Sequence, residues 1–230
     1  MSAPVSVIIP TLDVADRLGP CLGALGAAAL SGVIREVIIA DGGSTDGIAG
    51  VAEAVGARLV TSDAGRGTQL AAGAAAARGC WLLVLHADSI LSEGWDRAVL
   101  DHIAGHGAEA GYFGLRFNDN GVGARMVAGW ANLRARLFAL PYGDQGLLMP
   151  VVLYRDAGGY PDWPLMEDVA LVRRIGRARL RRLPGSITTS AERYRRDGWL
   201  RRGVRNLSTL ALYFLGVAPE RLAGRYQRGR

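Results

Sequence analysis

Short apolar runs closed by Pro, Asp or a turn recur through the first 88 residues, separated by longer stretches rich in Ala and Leu. Val5-Ser6-Val7-Ile8-Ile9 stops at Pro10, and residues 34–40, 57–61 and 81–85 repeat the pattern. Runs of this length with little alternation predict strands buried on both faces. Residues 14–30, 45–55 and 68–78 predict helices, the first with an irregularity at Gly19-Pro20. The order β-α-β-α-β-α-β implies parallel strands joined by helical crossovers. The expected fold is therefore α/β, a mostly parallel, Rossmann-like sheet flanked by helices.

Beyond residue 90 the pattern loosens. A helix is expected over 94–104, and the alternating, aromatic stretch 111–117 reads as a half-exposed strand. A helix over 123–138 leads to a turn at Gly143-Asp144-Gln145-Gly146 and a short apolar run at 147–149. A loop of Gly, Pro and aromatics, 156–164, precedes a helix over 166–175. Residues 179–190 have room for two short strands. From Glu192 onward the chain is basic and helical.

Strand 34–40 runs into Asp41-Gly42-Gly43-Ser44-Thr45-Asp46-Gly47. Ser44, Thr45 and Asp46 each have an oxygen able to cap the next helix. An acid at the carboxyl end of a buried strand, beside a helix N-terminus, stands where open α/β sheets bind ligands. The plainer alternative is a corner whose polar residues only cap. Strand 81–85 ends similarly, in His86-Ala87-Asp88, so Asp41 and Asp88 are expected to share one crevice. An imidazole and a carboxylate two residues apart suit Mn²⁺ or Mg²⁺, although a single carboxylate aided by phosphate and water is the usual arrangement for Mg²⁺. The alternatives are a helix cap for Asp88 and a hydrogen-bonded spacer for His86. Glu167-Asp168 falls in a first helical turn, where the helix dipole favours anions; dipole capping alone would also account for it.

Composition narrows the class. Half of the 230 residues are hydrophobic, enough for one large domain or one domain with a small appendage. Cys21 and Cys80 lie far apart in apolar contexts, which predicts buried free thiols rather than a metal site or disulfide framework. The N-terminus enters a strand without a basic flank, unlike a signal peptide, and no apolar run reaches the roughly 20 residues of a membrane span. A cytoplasmic protein is expected, at most peripheral on the inner face of the membrane. Charge is unevenly spread: residues 1–172 hold 11 Arg against 18 acids, residues 173–230 hold 16 Arg against 3 acids, and Lys is absent. A basic end on an acidic body can dock on that body, on anionic lipid or on nucleic acid.

Taken in order, Ile9-Pro10-Thr11-Leu12-Asp13, Asp41 to Gly47, Gly65-Arg66-Gly67, His86-Ala87-Asp88 and Met166-Glu167-Asp168 resemble the family-2 glycosyltransferases of GT-A fold. The resemblance spans about residues 4–185. With Tyr142-Gly143-Asp144-Gln145 and Gly216 to Leu222, the chain looks like a small bacterial subgroup associated with arsenosugar biosynthesis. The resemblance implies a nucleotide-sugar donor, with uridine diphosphate as carrier, and an acceptor hydroxyl. Asp41 would accept the imide N–H of the base. Pro10, Thr11 and Asp13 would line the donor wall, and Arg66 would reach base or phosphate. Asp88 would hold Mn²⁺ or Mg²⁺ on the diphosphate, with His86 as a second candidate ligand. Asp168, with Glu167 beside it, would be the catalytic base of an inverting displacement. The chain departs from the family in having His86 where an aspartate is common, Asp13 where Asn or Glu is common, and no histidine after His106.

The basic end divides off as residues 191–230, after a transferase domain over 1–190. Arg193 to Arg202 loosely resembles an Arg/Trp motif that some members place near the donor diphosphate, which makes Arg195, Arg196 and Trp199 candidates. Three readings stay open for residues 192–226: packing on the domain, an anionic membrane surface, and homodimerisation. Nucleic acid is not an expected partner. The rival function is a non-catalytic, arginine-rich adaptor on membrane or nucleic acid, built on a degenerate transferase body. A nucleotidyltransferase would need a Gly-rich phosphate loop after the first strand, which Thr11-Leu12-Asp13 does not supply.

Overall fold

A computed structural model describes residues 3–29 and 31–228; the expected end of the first helix, Leu30, lies outside them. Strands β1 (Val5–Thr11), β2 (Ile34–Asp41), β3 (Arg58–Thr61) and β4 (Trp81–Val84) lie side by side as β3-β2-β1-β4, all parallel. Helices α1 (Gly19–Ala29), α2 (Ile48–Ala54) and α3 (Arg66–Ala76) are the crossovers. The irregularity at Gly19-Pro20 proves to be the start of α1, where proline's missing N–H is harmless.

Pro10 does not end β1. It pairs with Ala40 of β2, and the strand continues to Thr11. The β4 ladder stops at Ile8–Val84, so at Pro10 one side of β1 is already an edge, where a proline is tolerated. Side chains alternate across the sheet and divide the interior in two. Val5, Val7, Ile9, Leu83 and Phe113 join the core under α1, α2 and α4 (Trp95–Gly105). Ile8, Ala40, Leu82, Val84 and Met149 join the core under α3 and α7 (Glu167–Ile175).

The sheet continues through β7 (Leu147–Pro150), β6 (Ala110–Phe117), β8 (Leu180–Thr189) and the two-residue β5 (Ile90–Leu91). β6 is not half-exposed as its alternation suggested; seven of its eight residues are buried, because it lies inside the sheet with a helix against it. Residues 179–190 form one strand, not two: the β6–β8 register slips between Tyr112 and Gly114, opposite Pro184-Gly185. Cys21 is buried as expected, but Cys80 is exposed in the turn before β4.

Direction matters for the site. β7 is antiparallel to β4 and pairs Leu147 with Val84, so the turn before it arrives where β4 ends. β6 is antiparallel to β7 and parallel to β8, so Thr189 also finishes at this rim. β7 covers only Gly111 and Tyr112 of β6. Beside the uncovered part lies α5 (Val122–Phe138), whose Asn132 accepts from Leu115 N–H at 2.7 Å and donates to Leu115 O at 3.0 Å. One side-chain amide thereby satisfies both backbone groups that a neighbouring strand would otherwise bond.

After α6 (Val151–Asp156), α7 and β8, the basic end forms α8 (Glu192–Asp197), α9 (Trp199–Phe214) and α10 (Pro219–Arg228). These helices pack on the domain. Trp199 and Tyr194 stack with centroids 4.8 Å apart and meet Phe117 edge-on, while Leu210 and Leu222 enter the second core. Arg202 and Arg205 converge on Asp197 at 2.7 and 2.9 Å.

Candidate active site at the C-terminal rim

Asp41, the last residue of β2, is only 3% exposed. Its Oδ1 accepts from the Thr11 hydroxyl at 2.9 Å and from the Ser44 hydroxyl; its Oδ2 accepts from the N–H groups of Gly43 and Ser44 at 3.0 and 2.8 Å. Burial pushes this carboxyl up, but the bonds from Ser44, Thr11 and Gly43 outweigh it and hold Asp41 below the usual carboxylate range. Four donors from the protein leave little acceptor capacity for a base N–H. Asp41 lies behind the cavity wall and holds Thr11, which faces the cavity. The expected capping of α2 does not occur either: Gly47 begins that helix without a side-chain cap. Ser44 and Asp46 instead accept from Asp13 N–H and Ala15 N–H, at 2.9 and 2.7 Å. Asp13, in a left-handed conformation, accepts from Thr45 N–H and braces the same two loops outside the cavity.

Gly65-Arg66-Gly67 opens α3. A Cβ at Gly67 would lie 2.0 Å from Pro161 O, so only glycine lets the 161–163 segment approach so closely. That approach brings α7 to α3, with Arg66 Nε 2.8 Å from Glu167 Oε1. Met166 takes a left-handed conformation, φ 67°, immediately before this pair. Glu167 is 2% exposed. Burial and then the adjacent Asp168 push its carboxyl up, against the pull of Arg66. Asp168 faces the cavity, and its Oδ2 accepts from Gly143 N–H at 2.7 Å.

The rim turn Gly143–Gln145 completes this group. A Cβ at Gly143 would meet Arg66 Nη2 at 2.7 Å, His86 Nε2 at 2.8 Å and Asp168 Oδ2 at 3.4 Å. Asp144 follows, its Oδ1 buried without a hydrogen-bond partner among the described residues. Burial, reinforced by Asp168 and Asp88 and opposed by Arg134 and Arg66, pushes its carboxyl up to about 6. His86 Nε2 is also buried without a partner among the described residues. Burial and the cations Arg66 and Arg193 hold it well below the usual imidazole range. Asp88 Oδ2 accepts from the Thr189 hydroxyl at 3.2 Å, which ties β8 to the end of β4.

Asp88 is an accessible carboxylate on the cavity wall and fits a divalent cation as a single protein ligand. His86 fits less well, because its Nε2 faces Gly143 beside the Arg66 guanidinium. Among the described residues no three His, Cys, Asp or Glu side chains group closely enough to cage a metal. A cation here would take its remaining ligands from phosphate and water.

These residues surround one cavity of about 390 Å³. Of the expected site residues, Pro10, Thr11, Arg66, His86, Asp88, Glu167 and Asp168 line it; Asp13, Asp41, Arg195, Arg196 and Trp199 do not. Arg195 lies 4.0 Å from Asp119, Arg196 pairs with Asp197, and Trp199 belongs to the Phe117–Tyr194 cluster. The basic end does reach the cavity, through Arg193, Tyr194, Arg202, Asn206, Thr209 and Tyr226. The split at residue 190 thus falls at the end of β8 but cuts through the cavity wall. Arg202, Asn206 and Thr209 recur at i, i+4 and i+7 and so share one face of α9; a polar stripe ordinarily marks the solvent side, so the sequence carried no signal that this face lines a cavity. Asp144 carried a weaker signal, an acid in a Gly-flanked turn before an apolar run.

The fold has solved counterparts. Glucosyl-3-phosphoglycerate synthase from Mycobacterium tuberculosis, in complex with Mn²⁺, uridine diphosphate and glucosyl-3-phosphoglycerate, is similar at TM-score 0.58 and 19% identity, over 82% of this chain and 70% of that one. Residues 1–349 of S. aureus TarS in complex with UDP are similar at TM-score 0.63 and 17% identity, over 81% of this chain and 60% of that one. The chain thus spans less than two thirds of the TarS fragment. Among curated proteins nothing matches the sequence. Residues 6–147, from β1 to the start of β7, match the family described as glycosyl transferase family 2, and the chain belongs to that family.

Proposed function

We propose that the protein transfers a sugar from a nucleoside diphosphate donor, UDP as the carrier, to an acceptor hydroxyl with inversion at the anomeric carbon. The observation that carries this reading is the opening of Asp88 and Asp168 onto one cavity at the strand ends. Asp168, fixed by Gly143 N–H, takes the proton from the acceptor hydroxyl as that oxygen attacks from the face opposite the diphosphate. Arg66, lining the same wall, offers a fixed cation to the donor phosphates or base. Pro10 and Thr11 shape the wall against base and ribose. Asp88 would hold Mn²⁺ or Mg²⁺, which offsets the charge developing on the leaving diphosphate when bound. The UDP and Mn²⁺ in the mycobacterial neighbour support this assignment by analogy of fold.

The test is sugar transfer or donor hydrolysis with UDP-sugars and Mn²⁺, comparing the protein with Asp168→Asn and Asp88→Ala. Loss in both, with a UDP thermal shift retained in Asp168→Asn, supports the assignment; undiminished turnover in both overturns it. A non-catalytic arginine-rich adaptor has less support, because Arg202 and Arg205 turn inward to Asp197 and Arg202 lines the cavity.

A further inference from the structure

Two helices, α5 and α9, lie in contact with each other, and α5 packs on β6. α5 begins against the first core at Ala124 and Ala131, and its exit at Ala139 and Leu140 belongs to the second. α9 likewise begins against the first core at Trp199 and reaches the second at Leu210. They touch where Trp199 packs against Gly123.

Each helix shows a large apolar stripe on its outer face. On α5, Val122, Met126, Trp130, Leu133 and Leu137 recur at i, i+4, i+8, i+11 and i+15, all exposed, Met126 at 70%. On α9, Leu200, Val204, Leu207 and Phe214 recur at i, i+4, i+7 and i+14, with Leu200 81% exposed. Apolar side chains left outside at helical spacing on two neighbouring elements mark a contact face.

Charge identifies the partner. Neither helix contains an Asp or Glu, while Arg125, Arg136 and Arg201 are exposed on them. Among the described residues none of these three forms an ion pair. A second copy, docked about a two-fold axis, would set this carboxylate-free arginine face against itself. An anionic lipid surface meets both needs, burying the apolar stripe and pairing phosphate with guanidinium. No helix among the described residues is long and apolar enough to cross a membrane, so such contact would be interfacial.

We propose that the outer faces of α5 and α9 dock the protein on an anionic lipid bilayer. The contact is independent of catalysis and is read without it. The experiment is flotation of the full chain with vesicles of phosphatidylcholine alone and of phosphatidylcholine with phosphatidylglycerol, at low and raised salt. Binding to the anionic vesicles only, weakened by salt, is expected. The double substitutions Arg136→Glu with Arg201→Glu, and Met126→Ser with Leu200→Ser, should each lower partitioning about tenfold or more with unchanged circular dichroism. Failure of the unaltered protein to bind anionic vesicles overturns the proposal. So does light scattering that shows a dimer dissolved by the same substitutions, which would assign the face to a second copy.

Discussion

Gly143 donates its backbone N–H to Asp168 Oδ2 at 2.7 Å, joining a rim turn to the first turn of α7 across 25 residues of sequence. The bond aims one carboxylate oxygen. The missing side chain matters equally, because Arg66 Nη2 and His86 Nε2 occupy the space around a Cβ at that position. Gly143→Ala should therefore lower the rate of sugar transfer while circular dichroism stays native. Asp168→Asn should cost about 10²–10⁴-fold in kcat, the usual worth of a positioned general base. Steady-state kinetics on both variants checks this; an unaffected kcat in Gly143→Ala would show that the turn does not position the base.

Asp144 links stability to pH. Its carboxyl, ordinarily near 3.8, is raised to about 6, so between those values the folded protein holds a proton that the unfolded chain has released. Stability from this group falls as pH rises through that window. Asp144→Asn removes the effect, so relative to the parent the variant should gain roughly 2–3 kcal/mol between pH 4 and pH 7.5. Urea unfolding at the two pH values measures it, and a difference independent of pH would count against a buried, proton-holding Asp144.

Asp41 should matter for stability first. An asparagine with its N–H₂ toward the Thr11 and Ser44 hydroxyls, which can turn to accept, keeps the four contacts but loses the charge that strengthens them. Asp41→Asn should cost about 1–3 kcal/mol in chemical denaturation, as expected when charge-assisted bonds are replaced by neutral ones. Full stability with a loss confined to UDP affinity would instead mark Asp41 as a direct contact to the base.

Gly67 is a packing requirement with a distant effect. A methyl group there collides with Pro161 O, so the 161–163 segment must retreat and take α7 with it. Gly67→Ala should destabilise the protein by about 1–3 kcal/mol, the usual penalty for forced overpacking. It should also raise hydrogen exchange at 160–168. Unchanged exchange there would mean that the Arg66–Glu167 contact does not depend on this approach.

The four parallel strands were legible because apolar runs bounded by Pro and Asp have few other solutions. That Asp88 and Asp168 line one cavity was legible in the motifs around them, whereas Asp41, expected in the same crevice, is not part of its lining. Other features depended on tertiary partners. Pro10 continues a strand because β4 has already ended beside it, and β6 is buried because a helix lies against a strand whose alternation suggested one wet face. Ser44 and Asp46 have the chemistry of caps, yet their oxygens go to backbone N–H groups of the first loop. In the basic end, Arg195 and Arg196 look outward while Arg193 and Arg202 line the cavity; helical phase decides which guanidinium turns inward.

Because α9 carries Arg202, Asn206 and Thr209 on one side and its apolar stripe on the other, its two faces are mechanically one rod. Whatever covers the outside therefore covers the back of a helix whose opposite side forms part of the cavity wall. Trimming the chain after β8 would take Arg193, Tyr194, Arg202, Asn206, Thr209 and Tyr226 out of that wall and leave the cavity wider open to bulk water.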